Sequence, residues 1–307
     1  MHNLIDITKW ENDIFADYGG YTRKCGKISP DGDRYMVKFE KKHSFKSSPL
    51  NLFEQHINSE ILRICGFNVQ ETFIGVCDDF LVLCCKNFVP QKSKLITFDV
   101  FLRQLYNSYE LTEFLDLNKF ERVLHENELL RPYRNDIVKS FWDMVVLDIF
   151  LMNLERTTSD FGYIISKDSV TPAPLYDNRT NSLACTIPLR KDNKPILRDD
   201  LLYSRAYKDF NDAITRIVPV LECKMVQIHT LVHEQECLSE AQKSWKIEQL
   251  QKTFQDLKCS YNLKQVMATM EIENLPLTEQ SLKNLREIAR GQKTVDEIIK
   301  AIKCRYS

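Results

Sequence analysis

The run DIVKSFWDMVVLDIFLMN, residues 136 to 153, is apolar on almost every face of a helix, so it has to be buried on all sides. It is too short to span a bilayer, which takes about 20 apolar residues. It therefore predicts a helix through the middle of a folded domain, and the 307 residues of the chain supply one large domain or two ordinary ones around it. Residues 20 to 90 read differently. Lys24 to Ile28 and RYMVKF flank Ser29-Pro30-Asp31-Gly32, a turn in which proline presets φ and glycine accepts a positive one. VQETFIGVC and FLVLCCKNFV flank Asp78-Asp79, a second hairpin signature. Between the hairpins, Leu52, Phe53, Ile57, Ile61 and Ile64 recur at helical spacing ahead of Gly66, a natural cap.

After Pro90 strands largely vanish from the pattern, apart from a small β insert expected near 161 to 176. The runs DFNDAITRIVPVL, KMVQIHTLV and SWKIEQLQKTFQDL predict amphipathic helices. The expected fold is α+β and two-lobed: a small β-rich lobe over 1–90, a larger helical lobe over 91–274 and a helical tail over 275–307. In the tail, Thr294 and Glu297 form a capping box and Val295, Ile298, Ile299 and Ile302 one apolar face.

Charge excludes some functions. Lysine plus arginine (42) against aspartate plus glutamate (43) leaves no basic excess for general binding to nucleic acid or anionic membrane. The start, MHNLIDITKWENDIF, lacks the basic and apolar regions of a secretion signal. Several of the ten cysteines sit inside apolar runs and read as small buried hydrophobes in a reducing cytoplasm. His229 and His233 stand at i,i+4, but the HExxH order of a zinc protease is absent, and a packed or solvated helix face is the plainer reading.

A β lobe on a helical lobe leaves a cleft, and the residues facing it must carry any functional claim. Strand alternation in RYMVKF puts Tyr35, Val37 and Phe39 on one face and Met36 with Lys38 on the other. Lys38 can then reach nucleotide phosphates while Met36 lines a base pocket; the plain alternative is a lysine snorkelling from an ordinary strand. Past the buried helix come NLERTTSDFGYI and then APLYDNRTNS. Taken alone, Glu155 and Arg156 read as a surface ion pair, Asp160 as a turn cap and Asp177 as an Asx turn.

Together these two pieces resemble the catalytic loop and the metal-binding aspartate of HipA-like serine/threonine kinases, whose pattern is N-x-D-R-H-x-x-N followed by a strand and P-x-[FY]-D. YMVKF, GFNVQETFIG, LVLCCKNF and FWDMVVLDIFLMN resemble further landmarks of the compact CtkA-like branch, over residues 18 to 250. The resemblance implies protein serine/threonine phosphorylation with ATP and Mg²⁺ or Mn²⁺ between the lobes. It implies Glu155 as catalytic carboxylate, Lys38 as phosphate anchor, Asp160 and Asp177 as metal ligands, and Gly19, Gly20, Lys38, Cys84, Cys85 and Phe88 around the nucleotide. In the family the phosphate loop often carries a hydroxyl that is itself phosphorylated; here Tyr21, Thr22 and Ser29 are the candidates. Departures from the pattern are Glu155 for aspartate, Thr157 for histidine and Asp160 for asparagine, and the family's helix glutamate aligns near Gln55, with Glu54 and Glu60 close by.

Glutamate is one methylene longer than aspartate, and misplacement by about 1 Å can cost on the order of 100-fold in rate. A pseudokinase that acts as a regulatory or toxin–antitoxin interaction protein is therefore the alternative. By analogy the partners are a protein substrate of unknown identity and a separately encoded antitoxin or regulatory protein, with no direct nucleic-acid binding. Delivery to a host cell as an effector follows from analogy alone. The tail weakly resembles small helical antitoxin tails, which implies partner binding or self-inhibition; the plainer reading is that it closes the helical lobe.

Overall fold

The computed structural model describes residues 4–16, 18, 23–39, 50–106, 115–180, 187–274, 278–289 and 291–306. The first lobe is a six-stranded sheet of β1 (Ile5–Asp6), β2 (Glu11–Asn12), β3 (Lys24–Ile28), β4 (Arg34–Phe39), β5 (Thr72–Cys77) and β6 (Phe80–Lys86), with one helix, α1 (Leu50–Ile64). Strand order is β1-β5-β6-β4-β3-β2, antiparallel except for β1 on β5. Both hairpins fold as their turn chemistry dictates. Gly32 takes a φ of +85° and its N–H donates to the Ser29 carbonyl at 2.9 Å. Asp78 and Asp79 both take positive φ, the two-residue turn whose twist matches that of its strands.

The sheet has two apolar faces. Outside, Val37, Phe39, Val82 and Cys84 pack with Ile7, Trp10 and Phe73. Inside, Met36, Leu83 and Cys85 pack with Leu52 of α1, on the side that looks into the cleft.

The second lobe holds β7 (Lys94–Thr97), α2 (Phe98–Tyr106), β8 (Leu115–Asp116), α3 (Leu117–Glu126), α4 (Arg134–Leu151), β9 (Gly162–Ile165), β10 (Val170–Pro172), β11 (Leu189–Lys191), β12 (Lys194–Pro195), α5 (Arg198–Tyr203), α6 (Lys208–His233) and α7 (Glu240–Ile272). As its sequence requires, α4 is the axis: Phe141, Met144, Val146, Leu147, Ile149, Phe150 and Leu151 are all buried in one continuous core. That core also takes the inner faces of α6 and α7.

Two expectations are corrected. The β insert expected near 161 to 176 is present as β9 and β10, but more strands follow Pro90 than expected: β7 joins β9 and β10 in one three-stranded sheet, and β8, β11 and β12 form another. Each is two to four residues long, too short for alternation to register. Gly162 admits the β7–β9 pairing, because a Cβ there would lie 2.3 Å from the Ile96 carbonyl oxygen. The runs 209–221 and 224–232 are one helix, α6, which continues through Pro219. Packing on α4 and α7 overrides the backbone hydrogen bond a proline cannot make.

The tail forms α8 (Glu279–Ala289) and α9 (Val295–Tyr306). The capping box closes, with Thr294 N–H donating to Glu297 Oε2 at 2.7 Å and Glu297 N–H to Thr294 Oγ1 at 3.2 Å. The tail docks on the helical lobe through Leu282 and Leu285, and Arg286 donates to the Tyr203 carbonyl at 3.2 Å. Of the expected apolar face, Ile298 is buried while Val295 and Ile299 are exposed. No helix among the described residues is long and apolar enough to cross a membrane.

Candidate active site

The buried helix α4 ends where Met152 turns left-handed (φ +58°) and its N–H returns to the Asp148 and Ile149 carbonyls. The chain then enters a loop, 153–161, organised around one buried side chain. Arg156 spends all five of its N–H groups: Nε and Nη2 on the Asp148 carboxylate (2.6 and 2.9 Å), Nη2 also on Asn178 Oδ1 (3.0 Å), and Nη1 on the carbonyls of Asp160 (2.9 Å) and Tyr176 (2.8 Å). Asn153 Nδ2 adds a bond to Asp148 at 2.9 Å. Burial pushes the Asp148 carboxyl up while Arg156 opposes it. Arg156 is therefore not a surface partner of Glu155; it staples the loop to the 176–178 segment. The signal that could have found this is Asp148 itself, a carboxylate inside the otherwise apolar run from Met144 to Leu151, where it requires a cationic partner.

Across the cleft, Lys38 Nζ donates to Asp177 Oδ1 at 2.7 Å and to Gln55 Oε1 at 3.0 Å. Lys38 and Asp177, 139 residues apart and both largely buried, join the two lobes. Gln55 stands where the sequence pattern put the lysine's partner, so the lysine is held there by an amide rather than a carboxylate. Asp177 takes a left-handed φ of +54°, and its carboxylate also accepts from Arg179 Nε at 3.1 Å and Nη2 at 2.5 Å. Burial favours protonating Asp177, but Lys38 and Arg179 outweigh it and hold the carboxyl far below the usual range. Lys24 stands directly opposite Lys38 in the β3–β4 register, and burial, then Lys38, lower its affinity for a proton.

The other candidates separate. Glu155 is exposed at the rim, and Asp160 lies partly buried with Oδ2 accepting from Thr157 N–H (2.9 Å) and Thr157 Oγ1 (2.8 Å), so it does cap a turn. Burial works against the charge on Arg179, but Asp177, and after it Asp160 and Glu155, outweigh that and raise its affinity for a proton. Cys85 lies on the Lys38 face, where burial pushes its thiol up to about 11. Cys84 lies on the opposite face, in the outer cluster, because successive strand residues alternate, so its side chain does not join the nucleotide set. Phe88, just past β6, stacks on Tyr176 with ring centroids 5.7 Å apart. Ser29 sits in the β3–β4 turn, its Oγ accepting from Asp33 N–H. Five residues beyond Lys24 at about 3.3 Å each, it is roughly 16 Å from the Lys38 end of the hairpin, so it is not part of the cleft. Gly19, Gly20, Tyr21 and Thr22 lie outside the described residues.

The donor set fits a divalent cation in part. Asp160 and Asp177 are hard oxygen ligands of the kind Mg²⁺ takes. Among the described residues no group of three or more His, Cys, Asp or Glu side chains stands ready for a metal. Phosphate oxygens would have to complete the shell, and Arg179 would have to release part of the Asp177 carboxylate.

Comparison with known proteins follows the same lines. No family model matches the sequence. The chain is 25% identical over 272 residues to the serine/threonine-protein kinase CtkA of Helicobacter pylori strain J99, spanning 78% of this chain and 82% of that protein. The crystal structure of a Helicobacter pylori proinflammatory kinase CtkA superposes with a TM-score of 0.73 at 23% identity, over 84% of this chain and 97% of that one. HipA of Shewanella oneidensis MR-1, solved with HipB and operator DNA, gives a TM-score of 0.55 at 13% identity, over 81% of this chain and 66% of HipA. The chain is thus similar to CtkA over most of both sequences and shares the two-lobed HipA-like kinase fold.

Proposed function

We propose that the chain is an ATP-dependent protein serine/threonine kinase that holds ATP with Mg²⁺ or Mn²⁺ between its lobes. The observation that carries this reading is the Lys38–Asp177 bond across the cleft, with Gln55 as the third member. A phosphate-anchoring lysine and a metal-binding carboxylate from opposite lobes are what phosphoryl transfer needs, since its catalysis is mostly positioning and electrostatic stabilisation. Lys38, with Lys24 opposite it, would neutralise phosphate charge. Met36, Cys85 and Leu83 give the base an apolar wall. Asp160 and Asp177 would hold the metal, whose bound charge screens the phosphate oxygens. Glu155, exposed to solvent, would accept the proton of an incoming hydroxyl. Ser29, at the far end of the β3–β4 hairpin from Lys38, would have to be modified by a second molecule.

A pseudokinase is the second reading. Arg179 favours it, because it donates to both oxygens of Asp177 and so competes with a metal for them. In that case a separately encoded antitoxin or regulatory protein in the cytoplasm would be the working partner. Calorimetric titration with Mg-ATP tests the cleft. Lys38→Ala and Asp177→Asn should each weaken binding by roughly tenfold or more, since each removes charge-assisted bonds. Glu155→Gln should leave affinity within about twofold, because the rim carboxylate serves transfer rather than binding. Equal affinity in all three variants would overturn the site.

A further inference from the structure

Lys246 lies on α7, in the C-terminal part of the chain, yet only 3% of it is exposed. Its ammonium reaches the junction of the two lobes. Nζ donates to Asn58 Oδ1 of α1 at 2.7 Å and to Thr180 Oγ1 at 3.0 Å. Around it the polar groups are closely accounted for. Asn58 Nδ2 donates to the Asn178 carbonyl (2.9 Å) and to Thr180 Oγ1 (3.0 Å). Thr180 Oγ1 donates to the Leu151 carbonyl at the end of α4 (3.3 Å). Asn178 Nδ2 donates to Ser59 Oγ (3.1 Å), and Ser59 Oγ donates to the Gln55 carbonyl (2.9 Å). Without the ammonium, Asn58 Oδ1 would be a fully buried acceptor deprived of its donor.

We infer that Lys246 is a positioning residue for the cleft: from α7 it clamps α1, which carries Gln55, to the 177–180 segment, which carries Asp177, and so fixes the spacing of the Lys38–Gln55–Asp177 group. Gln55, Asn58 and Ser59 stand three and four residues apart on one face of α1, so a shift of Asn58 moves Gln55 with it. The segment side is equally short, because Asn178 and Thr180 follow Asp177 within three residues. The ammonium meets an amide and a hydroxyl oxygen here, while Glu54 attracts it from α1. Burial pulls the ammonium's pKa down to about 8, and burial also raises that of Glu54. A buried charge held this way gains little stability over an apolar side chain of the same volume. Its contribution is the geometry it imposes.

This inference rests on the reading that nucleotide binds beside Lys38, and the test separates the two. Hydrogen exchange read by mass spectrometry on the full chain without nucleotide should show, in Lys246→Met, exchange about tenfold faster at residues 54–59 and 175–180, with α6 unchanged. Wild-type rates at both segments, acceleration confined to α7, or uniform acceleration everywhere would overturn the clamp. If Lys246→Met does not fold, Thr180→Val, which removes the hydroxyl that accepts from Lys246 and Asn58 and donates to the Leu151 carbonyl, should show the same paired loosening. ATP titration then reads the consequence. Lys246→Met should bind ATP about tenfold more weakly, yet cost less than about threefold more in a Gln55→Ala background, where the lever is already disconnected. A lowered melting temperature with unchanged ATP affinity would reduce Lys246 to structural filler. A wild-type protein that binds no ATP would overturn the nucleotide reading, while the exchange pattern would still decide the clamp.

Discussion

Two carboxylates of the 153–180 stretch are held in contrasting ways. Asp177 is nearly buried, bonded by Lys38 and Arg179, and its neighbour Asn178 is bonded by Arg156 and Ser59. Glu155 sits one residue before the fully engaged Arg156, yet it faces solvent at the rim. The Lys38–Asp177 half of the proposed site is thus over-determined by the fold, whereas the transfer proposed for it would rest on one exposed, longer carboxylate. Binding should therefore resist sequence change on the rim, and turnover should not.

The contrast breaks most visibly at Arg156. Arg156→Met would leave Asp148 buried without its cation, and loss of one partner from a buried pair costs about 3–5 kcal/mol. Thermal melting should register a large loss or failure to fold, while Glu155→Gln melts as the wild type does. A mild effect at Arg156 would mean that the staple is not what holds the loop. Next in size is turnover. Glu155→Gln should lower phosphoryl transfer by roughly 100-fold, measured by radiolabel transfer at saturating ATP. Glu155→Asp should raise it if the extra methylene misplaces the carboxylate, and no change would shift attention to Thr157 or Gln55.

Acid stability sharpens the same contrast. Asp177 titrates lower in the folded chain than in the unfolded one, so its ion pairs stabilise the fold above the unfolded value of about 3.9 and lose that contribution as pH falls below it. Asp177→Asn should flatten stability against pH in that acid range, whereas Glu155→Gln should not. The smallest effect is expected at Arg179. Arg179→Met should tighten binding of Mg²⁺ or Mn²⁺ a few-fold, at most about tenfold, because one cation no longer competes for Asp177. Weaker metal binding in that variant would mean that Arg179 assists the site.

What could be read in advance follows from the range of the forces involved. The hairpins were legible because Pro30, Gly32, Asp78 and Asp79 act within four residues. Alternation assigns Lys38 to its strand face, while the family resemblance puts the lysine's helix partner only near Gln55, with Glu54 and Glu60 close by, and the fold selects Gln55. The Asn58–Lys246 contact, 188 residues apart, was not legible, since each looks like any polar residue on an amphipathic helix. The short strands β7, β8, β11 and β12 escaped because two to four residues carry no period. Arg179 escaped because only the fold shows that its side chain bends back two residues onto Asp177.

The most direct test of the kinase reading is intact-mass spectrometry after phosphatase treatment and then incubation with ATP and Mg²⁺ or Mn²⁺, with Asp177→Asn alongside. The account predicts phosphoryl groups of about 80 Da gained by the wild type alone, with a mapped site that includes Thr22 rather than Ser29 for transfer within one molecule. No gain in the wild type while ATP still binds, or equal gain in Asp177→Asn, would contradict it.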